Sequence, residues 1–223
     1  MTFSPASFPS RAAPLIAVCL LLTGAASAAG DLTTIERASI HLNLALAYQV
    51  EGLNKDAQKE FEAALAIKPD FSFARNLLAN LYAKTGRLEE AVAELKKAVE
   101  RDPSDTESHL DLGRFHLVRG RFDDALASLR TVMKLDPDSV TAQTLIGNAY
   151  LGQGKLKEAE LAYLNALGIE PRYAAAHNEL GNLYLHRGDK EGARSEFLKA
   201  LELDPGLSVA RKNLDNLLPG GNK

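Results

Sequence analysis

Proline stands at Pro69, Pro103, Pro137, Pro171 and Pro205, each 34 residues after the last. Glycine keeps the same period at Gly52, Gly86, Gly120, Gly154 and Gly188, always 17 residues before its proline. A fixed period of this length is the mark of a stack of small repeated units, none of which can bury its apolar face alone. Within each unit the glycine is placed to end a first helix in the left-handed conformation, where the lack of a Cβ removes the steric penalty. The proline ends a second helix, because it lacks an N–H and pushes the residue before it out of the helical region. The chain is thereby expected to be a run of helix hairpins with no sheet, in which repeats rather than domains are the parts to count.

Five units follow on this period, 38–71, 72–105, 106–139, 140–173 and 174–207. Their seventh place holds Leu44, Leu78, Leu112, Ile146 and Leu180, and their eighth is small: Ala45, Ala79, Gly113, Gly147 and Gly181. The eleventh holds Tyr48, Tyr82, His116, Tyr150 and Tyr184. In the second helix the twentieth is alanine throughout, at Ala57, Ala91, Ala125, Ala159 and Ala193. The twenty-fourth is large (Phe61, Leu95, Leu129, Tyr163, Phe197), and the twenty-seventh is small or β-branched (Ala64, Ala98, Val132, Ala166, Ala200). Spacings of three and four gather these residues on one face of each helix. Small residues set against large ones let the paired helices approach closely.

This pattern resembles the tetratricopeptide repeat, and the resemblance runs from Ala38 to Leu207. It implies a right-handed all-α solenoid of five helix hairpins. One place departs from the family. The fourth, where a large aromatic or apolar residue is usual, holds His41, Arg75, His109, Gln143 and His177. Either that contact is weaker here, or these side chains lie along the surface with their polar tips in water.

The two ends differ from the repeats. Residues 1–28 carry one cation, Arg11, then an almost wholly apolar run over 14–22, then Ala26-Ser27-Ala28. Charge, short apolar core and small-residue site together describe a secretory signal peptide cleaved after Ala28, with an uncleaved anchor as the other reading. A bacterial periplasmic or secreted location follows from the first. The one cysteine, Cys19, lies inside that apolar run, so the processed chain would hold no disulfide, thiolate nucleophile or thiolate metal site. Residues 29–37 lead into the first helix, and Thr33 with Glu36 has capping-box spacing. Residues 208–218 repeat only the first-helix pattern and read as a solvating cap, followed by a short tail, 219–223. The formal charge of −3 gives no electrostatic case for nucleic acid or an anionic membrane as a general partner.

The resemblance also implies where binding would occur. In the family, first helices line a concave surface through their second, fifth, ninth, twelfth and thirteenth places. Carried over residue by residue, the candidate peptide-binding set is Asn76, Asn80, Lys84, Arg114, Thr144, Asn148, Asn178 and Asn182. An amide offers both a donor and an acceptor, so a row of asparagines can hold an extended polypeptide by its backbone whatever its side chains. The same residues also suit a merely solvated face. Arg114 and Lys84 could pair with a partner's carboxylate, although the family's two-carboxylate clamp for chaperone tails is not reproduced. Near the N-terminal end, Leu42, Leu46, Val50 and Phe73 make this face more apolar. They form either a pocket for an anchor side chain or the packing surface of the lead-in.

Catalytic and metal chemistry find no support. His41, His109 and His177 recur in alternate units, and helix spacings of about 8–10 Å keep such side chains apart. Gly152-Gln153-Gly154-Lys155 lacks the first glycine and the final hydroxyl residue of a phosphate loop, and falls in a helix hairpin. The sequence therefore points to a non-enzymatic, protein-binding scaffold with no cofactor or metal. The resemblance to exported tetratricopeptide-repeat proteins implies a place in the assembly of a cell-envelope complex such as a pilus, a secretion system, polysaccharide export or cytochrome maturation. The other reading is a structural protein that self-associates through its ends or convex face.

Overall fold

A computed structural model describes residues 33–217. The signal-peptide reading of residues 1–28, residues 29–32 of the lead-in, residue 218 of the cap and the tail lie outside the described residues. Those described form eleven helices and no strand. They are α1 (Thr34–Val50), α2 (Asn54–Ile67), α3 (Ser72–Lys84), α4 (Leu88–Arg101), α5 (Thr106–Val118), α6 (Phe122–Leu135), α7 (Val140–Gly152), α8 (Leu156–Ile169), α9 (Ala174–His186), α10 (Lys190–Leu203) and α11 (Ser208–Leu217). The described residues divide into two compact units within α5, between Ser108 and His109. Each is all-α and of the solenoid type, helix hairpin following helix hairpin.

The hairpin turns show why the period is what it is. All five periodic glycines have positive φ, between 68° and 81°. The N–H after each glycine donates to the carbonyl of the eleventh place, as in Leu53 to Tyr48 (2.9 Å) and Arg87 to Tyr82 (2.8 Å). The glycine N–H itself reaches a carbonyl three residues back, as in Gly52 to Gln49 (3.1 Å). These paired bonds are the Schellman arrangement, which satisfies carbonyls left open at a helix end. Every second helix stops two residues before its proline. The residue between is pushed to extended backbone, as at Lys68 with φ −127° and ψ 87°, which the proline ring requires. At the start of α1 the Thr33 hydroxyl accepts from the Glu36 N–H and the Glu36 carboxylate accepts from the Thr33 N–H, closing the capping box.

The core follows the small-against-large pattern. The twentieth, twenty-fourth and twenty-seventh places are buried in all five hairpins. A Cβ built on Gly113 would stand 2.6 Å from Leu129, and one on Gly181 2.6 Å from Phe197; one on Gly147 would collide with the Tyr163 ring. Glycine at the eighth place thus lets the large residue of the second helix lie directly on the first helix's backbone.

The fourth place corrects the expectation of polar tips in water. Arg75 is buried and donates from Nη1 to Glu94 Oε2 (2.6 Å) and from Nη2 to the Pro69 carbonyl (2.8 Å). His177 lies between Glu196 Oε2 (2.7 Å) and the Pro171 carbonyl (3.2 Å), and His41 Nδ1 is 2.6 Å from Glu60 Oε2. Each pair joins the fourth place to the twenty-third, across the hairpin. The proline carbonyl, free of a helix, accepts the second bond. Arg211 repeats that half of the arrangement in α11, donating to the Pro205 carbonyl at 3.0 Å. A buried polar or charged side chain is tolerated only when it is hydrogen-bonded, and the chain supplies the partner glutamate in the same three repeats. In the repeat of Gln143, which carries no charge, the twenty-third place is Ala162.

Candidate functional site

The first helices α1, α3, α5, α7 and α9 carry the candidate binding residues. The structure sorts these residues into two groups by place. The fifth place is internal. Asn76, Thr144 and Asn178 are 3%, 5% and 3% exposed. Asn76 Oδ1 and Asp105 Oδ2 both stand 2.7 Å from the Ser108 hydroxyl, whose single proton serves one of them. Asp105 also caps α5 by accepting from the Ser108 N–H (3.1 Å). Thr144 returns its hydroxyl proton to the Val140 carbonyl of its own helix (2.8 Å). Asn178 donates to Glu179 (3.0 Å) and accepts from Asn213 of α11 (3.1 Å). Asn76 and Asn178 thus join neighbouring first helices, whereas Thr144 spends its hydroxyl within α7.

The ninth and thirteenth places are the accessible ones. In the first unit Asn80 and Lys84 are exposed on α3. In the second, Arg114 is exposed and donates to the Asp111 carboxylate at 3.3 Å. Asn148 is half-buried, and its Oδ1 accepts the Tyr163 hydroxyl proton at 2.6 Å. That bond orients the amide from below. Asn182 is half-buried too, donating to Glu179 (3.1 Å) and accepting from Asn213 (2.9 Å). Burial, and then the nearby Glu179 charge, push the Tyr163 phenol well above its ordinary range, so it stays protonated and able to donate to Asn148.

Sequence reasoning missed the supports under this row: Tyr163 and Glu179 from the same hairpins, and Asn213 from the terminal helix. It also missed Ile35, which precedes the aligned units. Ile35, Leu42, Leu46 and Val50 lie at intervals of seven, four and four on one face of α1. Of these Ile35 and Val50 are 61% and 78% exposed, and Phe73 on α3 is 51% exposed. The interval from Ile35 was readable in the sequence had the helical face been followed past the repeat boundary. Among the described residues, no three histidine, cysteine or acidic side chains gather where a metal ion could be held. No helix there is long and apolar enough to cross a membrane.

Sequence profiles of the tetratricopeptide repeat match residues 50–112, 83–149 and 116–164 in one form and 144–208 in another. No curated protein matches the chain in sequence. Among solved structures, TTC0263, a thermophilic TPR protein of Thermus thermophilus, is 24% identical with a TM-score of 0.69, over 81% of this chain and 98% of that one. PilW, a type IV pilus biogenesis factor, is 21% identical with a TM-score of 0.71, over 81% and 84%. YrrB, described as a TPR protein with an unusual peptide-binding site, is 20% identical with a TM-score of 0.61, over 85% and 95%. At these identities the likeness is one of fold.

Proposed function

The chain belongs to the tetratricopeptide-repeat family, and from that premise we propose that it is a non-enzymatic scaffold holding a polypeptide segment against its first-helix faces. The observation that carries this reading is the split between the two places. The fifth-place polar groups are spent inside the fold, whereas Asn80, Lys84, Arg114, Asn148 and Asn182 keep accessible polar surface. Asn148 is held with its oxygen on Tyr163, which leaves its two N–H donors for a carbonyl of the bound segment. Pre-set amides of this kind bind backbone with little ordering penalty.

The place of action we propose is the bacterial periplasm, or outside the cell, after cleavage at Ala28, in the assembly of a cell-envelope complex. Pilus formation is one such pathway, and PilW is an example of this fold described as a pilus biogenesis factor. Secretion, polysaccharide export and cytochrome maturation are the others. The test is a crosslinking capture from envelope extract, comparing the wild type with a variant in which Asn80, Arg114, Asn148 and Asn182 are alanine. Helix content and melting temperature are checked first, because Arg114, Asn148 and Asn182 carry internal hydrogen bonds. A partner captured by the wild type and lost in a folded variant is the expected result. Equal capture by both would sink the asparagine-row reading.

A second reading, self-association, is favoured by one observation. Leu161 and Leu164 are exposed on the solvent face of α8. Sedimentation that depends on concentration, and is abolished by Leu161→Glu with Leu164→Glu, would support it.

A further inference from the structure

The first unit presents a face of different chemistry from the asparagine row. Along α1 the line Ile35, Leu46, Val50 is apolar, exposed at its two ends and half-buried at Leu46, with Leu42 buried beneath it. It spans fifteen residues of helix, or about 22 Å. On α3, Phe73, Asn80 and Lys84 follow at intervals of seven and four, which keeps them on one helix face. That line runs from an exposed aromatic ring at one end to a cation at the other. Lys84 is exposed and enters no ion pair among the described residues, whereas Lys59, Lys97 and Lys199 each sit beside a carboxylate three residues away on their own helix. Exposed apolar residues scattered singly need no explanation, whereas here they recur along one face of α1 and share the face of α3 with a cation.

We propose that this face selects an extended partner segment carrying a large aliphatic or aromatic side chain and, further along, a carboxylate. The inference rests on the reading of the first-helix faces as the binding surface and names what the first unit takes there. Phe73 and Lys84 are eleven residues apart in a helix, or about 16 Å. An extended peptide covers that distance in about five residues. The apolar side chain lies over Phe73 and the α1 line, where its burial supplies affinity. The carboxylate lies over Lys84 and fixes the direction of the segment, because charge placement sets register more than it adds affinity. Asn80, between them, meets the intervening backbone.

The test uses three fluorescein-labelled nine-residue probe peptides and the purified whole chain, read by fluorescence anisotropy. One probe has leucines at one end and glutamates five residues away. The second replaces the glutamates by lysines, and the third replaces the leucines by serines. The first is expected to bind about tenfold tighter than the third and about threefold tighter than the second. Lys84→Glu should invert the preference between the first and second probes. Val50→Ser with Phe73→Ser, both exposed and so neutral to folding, should bring the first probe down to the third. Equal binding of all three probes, or a preference that Lys84→Glu leaves unchanged, overturns the proposal. So does dimerisation that is lost in the Val50→Ser, Phe73→Ser variant, since a second copy is then the occupant. A captured envelope partner lost in the asparagine–arginine variant but retained when Val50, Phe73 and Lys84 are changed overturns this inference while leaving the broader one standing. A partner retained by both sets of variants overturns both.

Discussion

Arg75 and Glu94 illustrate what a single pair does in this fold. Both are largely buried, and the Arg75 guanidinium reaches a carboxylate and a proline carbonyl at once. Removing one partner strands a charge, so Glu94→Ala should destabilise the first unit by about 3–5 kcal/mol in urea unfolding. Arg75→Met together with Glu94→Leu should recover most of that loss, because an apolar pair needs no desolvation. Gly147 poses a packing question instead. Its missing Cβ is the space the Tyr163 ring fills, so Gly147→Ala should cost about 1–3 kcal/mol. Adding Tyr163→Leu should restore part of the loss, since the second repeat already pairs Ala79 with Leu95. Thermal melts of the two variants decide it. The fourth-place pairs were legible in the sequence only by comparing repeats. Glutamate stands at the twenty-third place in the three repeats with His41, Arg75 and His177, and is replaced by Ser128 and Ala162 in the other two. A side chain paired across a hairpin leaves no periodic trace inside its own helix.

At the scale of the element, two helix features titrate. Bonds from the Thr33 backbone N–H and then the Thr33 hydroxyl hold the Glu36 carboxyl below its ordinary range. The carboxylate's contribution is therefore present above the pKa of an unfolded glutamate, near 4.3. It is lost as pH falls through the lower folded value. The protection of amides in the first turn of α1, relative to their intrinsic exchange rate, should fall at acid pH in the wild type and be low at all pH in Glu36→Gln. In α8 the sign is opposite. Burial holds the Tyr163 phenol protonated, so its contribution is complete below about pH 10 and falls as pH rises beyond that, where an unfolded tyrosine ionises. Tyr163→Phe should lose about 1 kcal/mol at neutral pH, with its bond to Asn148 gone. It should also show a shallower alkaline decline in chemical-denaturation midpoints. The turns themselves are the most readable elements. A left-handed residue with its two reverse bonds admits few residues other than glycine, so the sequence marks each turn directly.

At the scale of the molecule, a hairpin in such an array needs a neighbour to finish its apolar face, and in the second unit α11 finishes that of the last one. Ala210 is fully buried, and Asn213 donates to both Asn178 and Asn182. Deleting residues 208–217 should lower the melting temperature and loosen amide protection in α9 before any other helix, since stability in such arrays propagates between nearest neighbours. Uniform loss across all helices would contradict that local coupling.

The sequence alone determined the helix hairpins, the places of the turns and the small-against-large core, while the first-helix faces entered as candidate binding surface only through the family resemblance. The hairpins, turns and core rest on residue type at a fixed interval, and backbone geometry reads residue type directly. Only the tertiary structure decided which of Asn76, Asn80, Thr144, Asn148, Asn178 and Asn182 face inward. An amide has the same composition whether it binds Ser108, Asn213 or a ligand, and its partner in the fold stands some thirty residues away. Whether such a group is buried depends on the next repeat's packing, which no local pattern records.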